Sequence, residues 1–209
     1  MEREIRTRVR RAAKKDSKKQ SQRQFSPVAQ PSAKANFTKV AFAKRDPKIR
    51  RIVTTHDKNG KSVIWMDAYA TNHKYPNDRM ISTLLWSTEG SPADYMLEKD
   101  GGARLLGTAP PPFGTRFMFS ELAPGKAEDD WPRLHRTDSV DYKVIISGEV
   151  TLYLDDTKVV ARADDVIIGR GTNHAWVNEG KVPCRSATVL VDAYPKRRGS
   201  VQGLVTHQP

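Results

Sequence analysis

Residues 135–178 alternate short apolar runs with tight-turn signals, and this stretch constrains the fold of the chain more than any other. It opens with His135, Arg136, Thr137, Asp138, Ser139, Val140 and Asp141. It closes with Gly171, Thr172, Asn173, His174, Ala175, Trp176, Val177 and Asn178. Between them lie a Ser147-Gly148 turn, an alternating run over 149–154, an Asp155-Asp156 turn and an apolar run over 166–168. Two histidines and a carboxylate thus sit at the ends of a compact series of short strands. A small barrel would bring such distant positions onto one inner wall, because inward and outward residues alternate along every strand. Imidazole and carboxylate together are a transition-metal ligand set.

The rest of the chain reads the same way. Residues 49–55 and 62–68 form a predicted hairpin around the turn Asp57-Lys58-Asn59-Gly60. Residues 69–80 read as a loop, with Asn72, Pro76 and Asn77, and residues 81–87 as a strand. Asp100-Gly101-Gly102 is a turn and Pro110-Pro111-Pro112 a breaker. Residues 115–122 alternate and end before Pro124-Gly125. A polar, acidic loop over 126–134 leads into the first histidine, and residues 185–193 give a last strand. The expectation is an all-β domain over residues 46–194. It lies between a basic, disordered tail over residues 1–45, with room for a short helix over 2–15, and a polar tail over residues 195–209.

Charge divides along the same boundary. Residues 1–50 hold 16 of the 36 lysines and arginines but only 4 of the 24 acidic residues, so the net +12 belongs there and the remaining charges cancel. The basic pI therefore says nothing about what the folded domain binds. The tail has three functional readings: a phosphate-binding arm for nucleic acid, a nuclear address, or an organelle transit segment, against which Glu2, Glu4 and Asp16 argue. The plain alternative is a solvated extension. No run approaches the roughly 20 apolar residues of a membrane span, and no apolar segment of the secretory kind follows the start. The single cysteine, Cys184, forms no internal disulfide, reads as a small buried hydrophobe and fits an intracellular, cytoplasmic setting.

The motifs at the two ends of 135–178 resemble those of the cupin family. The first runs His135, Thr137, Asp141, Gly148, and the second Gly169, Gly171, His174, Asn178. The spacing matches throughout, with Thr137 where a second histidine is usual, Asp141 for glutamate and Gly169 for proline. The resemblance covers about residues 105–194. It implies a single jelly-roll-like β-barrel and a divalent transition metal on His135, Asp141 and His174. Fe(II) is the first choice, ahead of Mn, Ni or Zn, because the ligand set alone does not select one. Thr137 would hydrogen-bond a ligand or a metal-bound water, and Asn178 would orient His174 or the backbone.

Similar small cupins are assigned as oxidoreductases of secondary-metabolite pathways. The resemblance thus implies an enzyme acting on a small, largely apolar, polyketide-like molecule. A lyase, dehydratase or isomerase would need only a Lewis acid and a proton carrier. A non-catalytic binding barrel whose tail contacts nucleic acid is the other class. Trp176, Phe117, Phe119, Trp131 and Trp86 are the aromatics expected to line an apolar pocket or the plain core. Arg136 and Asp138 should face outward, and His56, His73 and His207 should lie on the surface. Cupins of this kind commonly dimerise through sheet edges or exchanged N-terminal strands, which places residues 46–68 at a homodimer interface. No catalytic residue or organic-cofactor motif is assigned, and nucleophile-elbow, phosphate-loop and zinc-pair motifs are absent from the sequence.

Overall fold

The computed structural model describes residues 46–96, 98–126 and 131–194. The expectations for residues 1–45 and 195–209, and for His207, lie outside the described residues. Eleven strands and no helix occur among the described residues. They are β1 (Arg50–His56), β2 (Ser62–Tyr69), β3 (His73–Asn77), β4 (Met80–Thr88), β5 (Thr115–Leu122) and β6 (Ser139–Ser147). After these come β7 (Glu149–Tyr153), β8 (Lys158–Arg162), β9 (Val166–Arg170), β10 (Ala175–Val177) and β11 (Cys184–Asp192).

The strands form a six-stranded sheet in the order β3-β4-β5-β11-β6-β9, a three-stranded sheet β10-β7-β8, and the hairpin β1-β2. All pairings are antiparallel. Ile145, Val150, Ala161 and Cys184 make one core cluster, with Leu122, Ile167 and Trp176 packed against it. These side chains come from both the larger sheets, so the core fills the space between the two. Cys184 is 3% exposed, as a small apolar residue in that core should be. The chain crosses from β6 to β7 at Gly148, whose φ of +73° and lack of a Cβ are both required. A Cβ there would stand 2.6 Å from the Pro183 carbonyl oxygen.

Alternation assigns faces. Residues 139, 141, 143 and 145 of β6 share one face, and across the ladder so do Leu190 opposite Asp141 and Thr188 opposite Lys143. One strand further, Arg116 lies opposite Leu190 and Met118 opposite Thr188. The opposite face of β5 carries Phe117 and Phe119. Phe119 packs there with Ala70 and Leu85, against Ile49 and Ala187.

One expectation about the fold is corrected. Residues 69–80 are not all loop, because β3 spans His73–Asn77. It is an edge strand whose pairing shifts between Lys74 and Asn77. An edge is where a proline such as Pro76 is tolerated, since the missing N–H can fall on the unpaired side.

Candidate metal and substrate site

His135 and His174 face each other across an isolated antiparallel bridge. His135 N–H donates to the His174 carbonyl at 2.9 Å, and His174 N–H donates back to the His135 carbonyl at 2.8 Å. Directly opposed residues carry side chains on one side of the ladder, and the two imidazole centroids are 4.5 Å apart with the planes inclined at 53°. Thirty-eight intervening residues are looped out by β6 to β9 to make this contact. Nδ1 of His174 lies 2.9 Å from the Thr172 carbonyl oxygen. A carbonyl only accepts, so Nδ1 carries the hydrogen and Nε2 keeps the lone pair. His135 has an exposed edge, yet desolvation holds its pKa below the ordinary histidine value. The neighbouring His174 pushes the same way, and Asp141 opposes both. The neutral form so favoured is the one that ligates metals.

Asp141 is the third of the predicted ligands. Its position on β6, opposite Leu190 and Gly169, puts it on the core-facing side of the sheet. Its charge reaches His135, but its Oδ1 accepts a 2.6 Å hydrogen bond from Ser139 Oγ. Among the described residues no three His, Cys, Asp or Glu side chains form a group that could hold a metal ion. The structure therefore pairs the two imidazoles closely and sets the carboxylate on the same wall, engaged with a serine. The imidazole pair fits a metal by donor chemistry, whereas the three-residue set is not assembled.

Lys143, two residues along β6 from Asp141, is a member of this wall that sequence reasoning missed. Its Nζ donates to Ser186 Oγ at 3.2 Å and lies 4.7 Å from the centroid of the Trp176 ring. Burial lowers its pKa to about 8, against the raising influence of Cys184 and Asp141. The alternation Asp141, Lys143, Ile145 was the available signal.

The remaining predicted residues divide. Trp176 joins the wall, with its ring 5.7 Å from that of His174. Thr137 is half-buried on the approach to β6, and its carbonyl accepts the Ser139 N–H. Asn178 is fully buried, and its bonds go to the backbone rather than to His174. Its Nδ2 donates to the Leu122 and Val182 carbonyls, each at 2.8 Å, and its Oδ1 accepts from Gly180 N–H at 3.0 Å. Phe117 and Phe119 do not line the site: ladder register turns both to the opposite face of β5. Trp86 packs edge-on to Trp65, and Trp131 edge-on to Tyr153 while donating to the Leu154 carbonyl. Arg136 and Asp138 form an exposed pair at 3.6 Å. His56 is exposed, and His73 is half-buried with Nδ1 2.8 Å from Thr83 Oγ1.

Comparison with known proteins places this geometry. Residues 118–190 match the Cupin_2 model, described as a cupin domain. A cupin-domain-containing oxidoreductase of Neurospora crassa is 32% identical over 158 residues, covering 70% of this chain and 78% of that protein. The chain belongs to the cupin family. Phomopsin biosynthesis cluster protein D of Diaporthe leptostromiformis is also 32% identical to this cupin, over 77% of the chain and 92% of that protein. A second cupin-domain-containing oxidoreductase, from Aspergillus ruber, is 28% identical over 69% of the chain and 73% of its own length. No helix among the described residues of this cupin is long and apolar enough to cross a membrane.

Proposed function

We propose that this cupin is a metal-dependent oxidoreductase that acts on a small organic molecule of secondary metabolism. The observation that carries the reading is the His135–His174 bridge, which holds two imidazoles side by side at 4.5 Å. The names of relatives at about 30% identity supply the reaction class. His135 and His174 would hold a divalent transition metal, and Asp141 would become the third ligand only by turning from Ser139 toward them. Fe(II) is the first choice, and Mn, Ni or Zn follow. Such a metal, when bound, supplies electron transfer or polarises a bound oxygen atom.

The chain's own groups do the rest. Thr172 fixes the His174 ring and its tautomer through the Nδ1 hydrogen bond, a kind of support that metal-ligating histidines generally have. Trp176 offers an apolar surface beside the imidazoles, and Lys143 sets a cation against its ring. Thr137 is the proposed hydrogen-bond donor to a ligand or water at the same place.

The folded unit is proposed to span residues 46–194, in an intracellular setting, with the basic segment before it as an address or arm. A homodimer is also part of the reading. Exposed Tyr142, Val144, Val166 and Ile168 lie together on the outer side of β6 and the edge strand β9, and Ile64, Trp65 and Tyr69 are exposed on β2. Exposed apolar edges of this kind are usually covered.

The test is turnover. Metal-reconstituted protein is added to a culture extract from a strain lacking the protein, and products are followed by mass. A substrate should gain or lose a hydrogen pair or an oxygen atom, and His174→Ala should abolish that change. Mass changes that are identical with wild type and His174→Ala would refute the reading.

A further inference from the structure

At the other end of the same inner wall, a cation is buried without a counter-charge. Arg116 of β5 is 4% exposed. Its Nη1 donates to the main-chain carbonyls of Gly107 and Thr108, which lie on the loop that follows the Asp100 turn. Its Nε has no partner among the described residues, and no carboxylate there pairs with it. A buried guanidinium facing only neutral carbonyls pays the full cost of desolvation, and buried charges are ordinarily matched by an opposite charge.

The surroundings add to the excess. Arg116 borders a narrow seam lined also by Asn72, Lys74, Ser82, Leu84, Arg104 and Leu106, with no room for a water molecule until a side chain moves. No acidic residue lines it. Arg104 is paired at 2.7 Å with Glu89, whose side chain is 66% exposed, so that pair is largely screened. Lys74 makes no ion pair within 4.0 Å among the described residues. Asn72 and the 102–104 loop are tied together, because Asn72 Nδ2 donates to the Gly102 and Arg104 carbonyls at 3.0 and 2.8 Å. One wall is therefore fixed. Lys74, half-buried, is the wall free to move aside for a ligand.

Register relates this cleft to the histidines. Arg116, Leu190 and Asp141 form one row across β5, β11 and β6. Two strand spacings, roughly 10 Å in all, separate Arg116 from Asp141 on the same face. Arg116 and Asp141 therefore share one face of the sheet, with buried Leu190 between them.

We infer that the Arg116 cleft, with Lys74 and Arg104, binds the carboxylate of a small organic acid and anchors it on the wall that carries His135 and His174. Guanidinium suits carboxylate because its planar N–H fork matches the two oxygens. The inference rests on the oxidoreductase reading only in taking that acid to be the substrate.

The experiment is calorimetric titration of the full-length protein with benzoate, with its neutral isostere benzamide, and with inorganic phosphate. Each is run on protein as purified and after dialysis against chelator. Benzoate should bind at least tenfold more tightly than benzamide, and equally in both preparations. Arg116→Gln should abolish that preference, and Lys74→Gln should weaken benzoate severalfold. If Arg116→Gln does not fold, the wild-type contrast and Lys74→Gln decide the matter. Equal binding of benzoate and benzamide, or unchanged benzoate affinity in Lys74→Gln, would overturn the inference. Phosphate that displaces benzoate and binds more tightly would overturn the assignment to an organic acid. Metal analysis of the same samples tests the oxidoreductase reading separately, because benzoate binding after chelation does not depend on a metal.

Discussion

The two ends of the inner wall solve opposite electrostatic problems. At the β6 end, two imidazoles lie 4.5 Å apart, and desolvation together with the neighbouring His174 holds the His135 pKa below its ordinary value. At the β5 end, Arg116 stays a cation at any accessible pH, and burial only lowers its pKa from a high starting point. The first end offers lone pairs and the second offers N–H donors and charge. In the proposed reading the first end is the place of chemistry and the second the place that holds the substrate, with Leu190 between them.

The sharpest way to break that comparison is to remove one end and assay the other. His174→Ala should lose metal affinity by more than about 100-fold, as loss of an assigned ligand requires, and should leave benzoate binding unchanged. Arg116→Gln should do the reverse. Crossed effects of similar size would mean that the ends are one site.

Asn178→Ala should act on neither end. It removes three hydrogen bonds inside the protein and should cost about 3 kcal/mol of folding stability. Chemical denaturation should show this loss while the metal stoichiometry of the folded fraction stays the same. A large fall in metal content without loss of stability would return Asn178 to the site.

Asp141→Asn should weaken metal binding roughly tenfold, because it keeps an oxygen but loses the charge. A competitive chelator titration measures this, and an unchanged affinity would remove Asp141 from the ligand set.

The smallest effect is a slope. Burial lowers the Lys143 pKa from 10.5 to about 8 in the folded chain. Between those values the unfolded chain binds a proton that the folded chain lacks, so this group makes stability rise with pH across that interval. In metal-free protein, Lys143→Met should melt above wild type at neutral pH, and that advantage should shrink as pH approaches 10.5. An advantage that stays constant across the interval would show Lys143 to be solvated.

Sequence reading reached the histidine end because its information is local. The interval from His135 to Asp141 and the closing run to Asn178 follow the spacing of the cupin motifs, and alternation on β6 put Asp141 and the missed Lys143 on one face. The arginine end was illegible. Its lining residues are scattered from 72 to 116, and Arg116 is notable only because no carboxylate meets it in space. Phe117 and Phe119 were left open between pocket and core for a related reason. β5 carries the polar residues Arg116 and Ser120 on its buried inner face and Phe117 and Phe119 on the other, so polarity does not mark the outer side and the phase of the alternation is not legible. Lys143 escaped because lysine on a strand is ordinarily exposed. Pro76 concealed β3, since proline argues against a strand everywhere except at an edge.

The most direct test of the account is the metal content of the wild-type protein. Full-length chain purified without chelator, and then reconstituted anaerobically with Fe(II), Mn(II), Ni(II) or Zn(II) in turn, is measured by elemental analysis beside His135→Ala and His174→Ala. The account predicts close to one equivalent of a divalent metal per wild-type chain. Each variant should stay folded and lose most of it. A wild type that holds none of the four, or variants that hold as much as wild type, would contradict the assignment of the histidine bridge as a metal centre.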